Sequence, residues 1–229
     1  MPKYHPNTRF TDCWASVGNI TFYHRDGQCY FRTKAKPVFP GTSHQQVQLS
    51  IHKRALQAWR NISHEEQLEW NALATQVRSK RPPYGTKSSI SGYNLFVSAY
   101  HGFACIGDEK IPEPKPMPDF PTLSLELIST TIVGKSLQVK FKITIAANLQ
   151  NLTLASRIQL VNPGAGTNPG KMRNHLAELN DDIATFTIPL PQSDHKSYTL
   201  HMRYFLIDRT TGYRSMQTRQ SETLSLYNS

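Results

Sequence analysis

The sequence has no long hydrophobic run. No stretch of about eighteen residues, the length that a membrane-spanning helix needs, is both apolar and uncharged. The first residues, MPKYHPNTRFTDCW, also have no apolar segment after the lysine, so they do not resemble a secretory signal. We therefore expect no membrane insertion, and cytoplasmic synthesis without Sec export. Later assembly into a virion is compatible with that route.

Cysteine is scarce. The three cysteines, Cys13, Cys29 and Cys105, are an odd number and show no Cys-x-x-Cys spacing. The nine histidines do not pair with them at zinc-ligand spacings, and His64-Glu65-Glu66 lacks the second histidine of a zinc-binding helix. The pattern excludes a closed disulfide framework. It predicts reduced, partly buried thiols and no metal or other cofactor.

Acidic residues are fewer than basic ones. The chain has 26 Lys and Arg against 16 Asp and Glu, a formal net charge of +10. Residues 1–110 have fourteen basic against seven acidic residues, and residues 111–229 have twelve against nine. Because fixed positive charge attracts polyanions, the larger excess in the first half favours an anionic partner there, such as nucleic acid.

A β-hairpin is predicted over residues 15–33. Apolar and aromatic residues lead into Asp26-Gly27 and out of it, and Asp-Gly supplies the positive φ values of a tight turn. A lone hairpin is marginally stable in water. We therefore expect it to pack on the helices that follow or on another chain.

Three helix-start signals follow the hairpin. A Ser or Thr precedes each apolar repeat of helical period. Ser63 with Glu66 has the form of a capping box, and Gly102 is a plausible helix end. The predicted caps are Thr42 or Ser43, Ser63, and Ser89 or Ser91.

Five aromatic residues stand at helical spacing in this part of the chain. They are Trp59, Trp70, Tyr93, Phe96 and Tyr100. Aromatic rings can stack on nucleic-acid bases, but this spacing is more typical of a helical core. We expect one small three-helix bundle around Trp59, Trp70 and Phe96.

Basic residues lie off the apolar stripe of the first helix, at the C-terminal end of the second and in the loop that follows it. They form either a solvated face or a set of phosphate contacts, and we take them as candidate nucleic-acid-binding residues. The set is Lys53, Arg54, Arg60, Arg78, Lys80, Arg81 and Lys87.

Five prolines between residues 111 and 121 predict a stiff, extended linker. After it, short runs alternate apolar and polar residues with period two, as strands with one buried face do. We predict an α+β protein with a basic hairpin-and-helix domain over 1–110, the linker, and an immunoglobulin-like antiparallel sandwich over 122–229. The predicted strands cover 123–127, 137–145, 156–161, 184–188, 198–207 and 222–227.

The glycine-rich segment 162–171 is a possible phosphate-binding loop. However, Pro169 removes an amide donor, and Lys171 is not followed by the Ser or Thr of the usual fingerprint. We interpret it as a mobile loop between strands, followed by a short helix near 174–179.

Three carboxylates follow this loop, at Glu178, Asp181 and Asp182. They could form a metal site or an acid–base pair, but neighbouring loop carboxylates are usually solvated. We expect no catalytic residue here. An enzyme with its site on 162–182 would require these aspartates and a histidine to converge in one pocket.

Several short segments between residues 15 and 101 carry a family resemblance. They are Val17-Gly18-Asn19-Ile20-Thr21-Phe22, Arg32, Pro40-Gly41-Thr42, Gln45, Trp59, Trp70-Asn71 and Ser91-Gly92-Tyr93-Asn94-Leu95-Phe96. Together they resemble an uncharacterised family of bacterial and phage proteins. The resemblance implies a hairpin, helices and a β-sandwich tail in a phage or mobile-element context, with no assigned activity.

Two segments are also similar to HMG boxes. Residues 59–66 and Ala74 resemble the start of their third helix, and residues 91–97 resemble their first-helix motif. The two segments stand in the reverse order here. The similarity therefore carries no expectation of the minor-groove wedge of those proteins.

Taken together, these patterns favour a non-enzymatic structural or assembly protein that acts through protein partners or self-assembly, as a virion or surface component. The alternative is a nucleic-acid-binding protein that uses the basic helical half. The hypotheses differ in what they predict: the first a defined oligomer or partner, the second salt-sensitive binding to DNA or RNA.

Overall fold

The computed structural model describes residues 15–25, 28–34, 41–77, 90–146, 150–191 and 197–226. These residues form three helices and three antiparallel sheets. The protein is therefore a mixed α+β protein whose C-terminal part is largely β. Its contacts divide the chain into two compact units, Met1–Gln46 and Val47–Ser229.

The first unit holds a three-stranded sheet. Its strands are β1 (Ala15–Val17), β2 (Ile20–Arg25) and β3 (Gln28–Thr33), in that order. The predicted hairpin is present as β2 and β3, and a short strand precedes it through a turn at Gly18, whose φ is +55°. The predicted Asp26-Gly27 turn lies outside the described residues. Aromatic rings pair across the hairpin at Phe22–Phe31 and Tyr23–Tyr30.

The three helices are α1 (Ser43–Asn61), α2 (His64–Gln76) and α3 (Gly92–Cys105). Each predicted cap is confirmed. Thr42 and Gln45 exchange side-chain-to-amide hydrogen bonds at 3.2 and 3.4 Å, and Ser63 and Glu66 do the same at 2.9 and 3.2 Å. The Ser91 hydroxyl accepts from the amide three residues on. In the described part of the chain, no helix has both the length and the apolar character needed to cross a membrane.

The prediction that Gly102 ends the third helix is wrong. α3 continues to Cys105, and Gly102 is buried within it. A Cβ atom at this position would collide with the backbone carbonyl oxygen of Gly212, a residue in left-handed conformation with φ +72°. Glycine is therefore needed here for the close approach of two backbones and not for a helix end.

The helices share their core with a residue from the β part. Trp70 packs edge-on against Tyr213, with ring centroids 6.2 Å apart, and both side chains are buried. The Tyr213 hydroxyl donates a hydrogen bond to the carbonyl oxygen of Lys115 at 2.9 Å. Phe120 packs against both the helical core and the core of the sheets. The segment 111–121 has no regular secondary structure, as its prolines predict, but it does not hold helices and sheets apart.

The division of the chain therefore differs from the one that composition suggests. Composition predicts boundaries at both ends of the segment 111–121. The contacts instead divide the chain between Gln46 and Val47. The physical reason is the shared core around Tyr213, which joins the helices to the sheets within the second unit.

The second unit contains two four-stranded antiparallel sheets, and all six predicted strands are present in them. One sheet has the order β4-β5-β9-β8, and the other has the order β11-β10-β6-β7. The strands are β4 (Leu123–Val133), β5 (Ser136–Ile145), β6 (Leu152–Val161), β7 (Arg173–Leu176), β8 (Glu178–Asn180), β9 (Ile183–Pro189), β10 (Ser197–Asp208) and β11 (Thr218–Ser225).

A single hydrophobic core lies between these two sheets. Phe141 and Phe186, from β5 and β9, meet edge-on at 6.0 Å in one part of it. Leu154, Leu200 and Met202, from β6 and β10, belong to the same buried cluster. The arrangement is sandwich-like, as alternating apolar residues predict.

The predicted short helix near 174–179 is wrong, because this segment forms β7 and β8. The chain passes from one sheet to the other at Ala177, whose amide donates to the carbonyl oxygen of Leu154 at 2.9 Å. Pairing with β6 and β9 provides the backbone hydrogen bonds of these short edge strands. Local sequence does not reveal such partners.

Replacement of Gly102 by alanine should destabilise the fold. The added methyl group would have to displace the backbone of Gly212, and overpacking of this kind costs about 1–3 kcal/mol. Urea unfolding of the G102A variant measures the loss. The matched control is G166A, in an open loop with no atom within 4 Å of the new methyl group. An unchanged midpoint for G102A would contradict the close packing described here.

Candidate functional site

The predicted basic set is only partly visible in the structure. Lys53, Arg54 and Arg60 lie on α1 and are exposed. Arg54 forms an ion pair with Glu109 at 2.7 Å, so its charge is partly balanced. The other predicted members, Arg78, Lys80, Arg81 and Lys87, lie outside the described residues.

The predicted aromatic set forms a core, as its spacing indicates. Trp70 and Phe96 are fully buried and meet edge-on with ring centroids 5.5 Å apart. Trp59 lies 5.2 Å from Phe96 and 5.8 Å from Tyr93, and Tyr100 is 6.3 Å from Phe96. Trp70, Phe96 and Tyr100 are thus buried in this core and are not presented for stacking on bases, whereas Trp59 and Tyr93 are half-buried at its margin.

A cavity of about 360 Å³ lies beside this core. Its walls come from α2, α3, the segment 111–121 and Tyr213, and include Leu95 and Met117. Burial raises the pKa of Tyr213 to about 12, and its hydroxyl already donates to Lys115. The lining residues are uncharged and mostly apolar, so the cavity suits a small apolar group better than a polar ligand.

A basic cluster, formed by His52, His101 and Arg214, lies where the helices meet the turn that follows β10. The rings of His52 and His101 stack with centroids 5.9 Å apart, and Nη2 of Arg214 donates to the Ser98 hydroxyl at 3.3 Å. Burial, and then the positive charges of Arg214, His52 and Arg157, lower the pKa of His101. Burial also lowers the pKa of Arg214. Among the described residues, no carboxylate forms an ion pair with Arg214.

Cys105 lies one turn after His101 on α3. It is a free, partly buried thiol, which confirms the prediction for this cysteine; Cys13 lies outside the described residues. Burial raises the pKa of the Cys105 thiol, despite the opposing charges of Arg214 and Arg157. A raised pKa keeps the thiol protonated at neutral pH, whereas an activated nucleophile needs the thiolate. The side chain packs against buried residues of β6 and β10.

The loop 162–171 is organised by its own hydrogen bonds and by β6. The amide of Asn168 donates to the side chain of Gln159 at 2.9 Å. The side-chain and backbone oxygens of Asn168 accept from the amides of Gly170 and Lys171 at 3.0 and 2.9 Å. These amides are already paired, which supports the interpretation that the loop is not a phosphate cradle.

The carboxylates that follow the loop do not meet a histidine in the described residues. Asp181 and Asp182 form the exposed turn between β8 and β9, where Asp181 has a φ of 52°. The nearest histidine in sequence, His175, instead bonds through Nδ1 to the carbonyl oxygen of Thr187 at 3.0 Å. Within the part of the chain that the structure describes, no group of three or more potential metal ligands comes together.

Three arginines form a row across the outward-facing side of the sheet β11-β10-β6-β7. Arg157 on β6 stands directly opposite Arg203 on β10, which stands directly opposite Arg219 on β11. We call these three residues the arginine row. Arg157 donates to the Asn174 side chain on β7 at 3.3 Å. Neither the Arg203 nor the Arg219 side chain has a hydrogen bond or ion pair with any described residue.

The next row of outward positions on this sheet is polar. Gln159, His201 and Ser221 lie side by side on β6, β10 and β11. Nδ1 of His201 lies 2.8 Å from the Ser221 hydroxyl, and Nε2 lies 3.0 Å from the carbonyl oxygen of Ala165. The histidine thus ties the loop 162–171 to the sheet, and this face carries polar hydrogen-bonding groups beside the arginine row.

Sequence reasoning missed the arginine row. Its three members are far apart in the chain, at 157, 203 and 219, and stand in segments whose charge is unremarkable. The available signal was the outward position of each arginine in an alternating strand pattern. Only the register of three strands shows that these positions are neighbours.

Two comparisons of the sequence with known proteins give no match. No protein-family model matches it, and neither does any curated protein sequence. The resemblances to the bacterial and phage family and to HMG boxes therefore stay hypotheses.

Some solved structures show partial likenesses. OgpA from Akkermansia muciniphila matches with TM-score 0.28 and 10% identity, over 48% of this chain and 29% of OgpA. A lipoprotein from Bacteroides thetaiotaomicron matches with TM-score 0.25 and 12% identity, over 50% of this chain and 86% of its own. HBP35 of Porphyromonas gingivalis matches with TM-score 0.22 and 13% identity, over 78% and 70%. At these scores the likenesses carry no functional argument.

The stability of the protein should fall as the pH falls through 6.5, the ordinary pKa of histidine. Burial lowers the pKa of His101 in the folded state, so protonation favours the unfolded chain. Neutral His101 makes its full contribution to stability above pH 6.5. This contribution is lost as the pH falls towards the lower pKa of His101 in the folded state. Urea unfolding at a series of pH values should show a weaker dependence for H101Q than for the wild type.

The control for this experiment is H64Q, at an exposed position on α2. It should keep the pH dependence of the wild type. His175, whose pKa is also lowered by burial, accounts for dependence that remains in H101Q. Identical pH profiles for H101Q and the wild type would contradict the assignment.

Proposed function

We propose that the protein is a non-enzymatic assembly module that pairs with a second copy of itself through the outer edge of β4. The observation that carries this proposal is the character of that edge. β4 is the outermost strand of its sheet and is eleven residues long. An exposed edge strand presents unpaired backbone donors and acceptors that can pair with another strand.

The side chains of β4 favour such pairing. From Leu127 to Val133 the strand has no charged residue and is rich in β-branched residues. Ile132 and Val133 are 41% and 51% exposed, which is high for apolar side chains in a strand. A bulge at Ile128 interrupts the ladder with β5 and divides the edge into two regular stretches, 123–127 and 129–133, of which the second is free of charged residues.

A second copy of the chain is the occupant that these features favour. With a net charge of +10, two copies repel each other across most surfaces. The segment 127–133 is neutral, so two copies of it can meet without opposing like charges. Antiparallel pairing of identical strands also produces a two-fold symmetric contact, the commonest symmetry of homodimers. A virion or surface layer, where many copies lie close together, is the setting we propose.

We further propose that the two large sheets form an immunoglobulin-like sandwich. The strand orders β4-β5-β9-β8 and β11-β10-β6-β7 support this assignment. They match the ABED and GFC orders of that fold, with one additional strand beside C. The shared core between the sheets is also expected for it.

Nucleic-acid binding by the helical half is a second candidate. It is favoured by the exposed Lys53 and Arg60 on α1, neither of which forms an ion pair with a described residue. Such contacts would add salt-sensitive, sequence-independent affinity.

Lysine substitutions on the β4 edge should prevent self-association. In the variant I132K/V133K, charges of the same sign would face each other across the proposed contact. Light scattering coupled to size-exclusion chromatography should show a dimer for the wild type and a monomer for this variant. Both positions are exposed, so the monomer should keep the unfolding midpoint of the wild type.

The matched control is V47K/L49K, which replaces two exposed apolar residues of α1 by lysine. It should remain dimeric. A wild type that is monomeric at all concentrations, or a control that dissociates equally, would remove the support for pairing at β4.

A further inference from the structure

The arginine row places like charges side by side on one sheet. Residues directly opposite each other on neighbouring strands have Cβ atoms about 4.5–5.5 Å apart, and like charges in such pairs are destabilising. Arg203 is opposed by an arginine on both sides, Arg157 and Arg219. A sheet surface that binds no anionic ligand does not need three adjacent arginines.

No acidic side chain balances the row from its own face. At the described outward positions of β6, β7, β10 and β11 there is no Asp or Glu. Glu222 of β11 lies at an inward position, opposite Leu200, and accepts a hydrogen bond from Gln220. Arg219 is exposed and Arg203 is half-buried, and no carboxylate at the described positions of this face balances their charges.

Positive charge continues from the row towards the helices. The charge of Arg157 acts on Arg214 and on His101, which places the row beside the basic cluster. Among the described residues, the Arg214 side chain bonds to the Ser98 hydroxyl. The cationic groups therefore extend from three strands of the sheet to the helices, over a wider area than a single small anion would cover.

The chemistry of the face favours phosphate groups. Guanidinium groups bind phosphate through two parallel hydrogen bonds, a geometry that lysine lacks. Neighbouring strands are about 4.7–4.9 Å apart, so adjacent arginines can reach successive phosphates of one nucleic-acid strand. The aromatic residue at an outward position of β10, Phe205, is buried beneath the end of α3 and offers no ring for base stacking.

We propose that the arginine row binds the phosphate backbone of a nucleic acid without reading its base sequence. The ligand class is that of the second candidate function, but the residues are different and lie on the sheet and not on α1. The proposal is also independent of self-association, because β4 belongs to the other sheet.

Fluorescence anisotropy with labelled single-stranded DNA tests the proposal. The variant R203Q/R219Q removes two charges at positions without a described partner. The slope of log K against log salt concentration should become shallower by about 1.4, that is about 0.7 for each lost phosphate contact on a single strand. Binding should weaken equally for two probes of different base sequence. The conservative variant R203K/R219K, which keeps the charge, should keep most of the slope.

The matched control is K53Q/R60Q, which removes two charges from α1 and should retain the wild-type slope. If this control loses the slope while R203Q/R219Q keeps it, the row is not the site and the helical candidate stands. If the wild type binds neither single-stranded nor duplex DNA at low salt, both the arginine-row proposal and the helical candidate are overturned. Binding of a heparin oligosaccharide but not of either DNA probe would show that the row selects sulfate groups, which also overturns the proposal. Thermal melting confirms that each variant is folded.

Discussion

The backbone contact between Gly102 and Gly212 is the constraint on which the arrangement of the second unit depends. It brings α3 onto the turn that follows β10 more closely than any side chain would allow. The next residue, Tyr213, then enters the helical core against Trp70, and Arg214 reaches Ser98 on α3. One short turn thus connects the helices, the segment 111–121 and the sheet. The basic cluster exists because this turn carries Arg214 to the helices.

The close approach of Gly102 and Gly212 also explains why the domain boundary predicted from composition differs from the one that the contacts show. Prolines correctly indicate that residues 111–121 form neither helix nor strand. They do not say whether the flanking parts touch. That depends on Tyr213, about a hundred residues further along the chain, and its hydrogen bond to Lys115. Local signals identify a linker, but long-range packing decides whether it separates anything.

The sequence predicts local features well and pairwise features poorly. The caps at Thr42, Ser63 and Ser91 depend on residues three positions apart, and each was predictable. The same holds for the six longer strands, whose alternation is local. The strands β7 and β8 are too short for alternation to be distinctive, and their pairing partners are distant. The role of Gly102 was missed for the same reason, because the atom that requires a glycine belongs to another part of the chain.

The same difference between local and long-range features applies to the candidate binding surfaces. Lys53 and Arg60 were found because they stand on one helix, whereas the arginine row required the register of three strands. A charge count along the sequence assigns the larger positive excess to residues 1–110. The structure places three arginines of the second half side by side on one face of one sheet. Concentration of charge, more than its total, determines the local potential that a ligand meets.

The direct passage from β7 to β8 through Ala177 closes one flank of the sandwich covalently. Both sheets end there in strands that the chain itself joins, which leaves β4 and β11 as the terminal strands of the opposite flank. Those two strands are already neighbours, since the Gln220 side chain on β11 donates to the carbonyl oxygen of Leu125 on β4 at 3.1 Å. A strand of another molecule that pairs with either sheet at this flank would also lie next to the other sheet. The two flanks of the molecule therefore differ, and strand addition confined to this one flank joins two molecules into a closed pair and does not extend into an array.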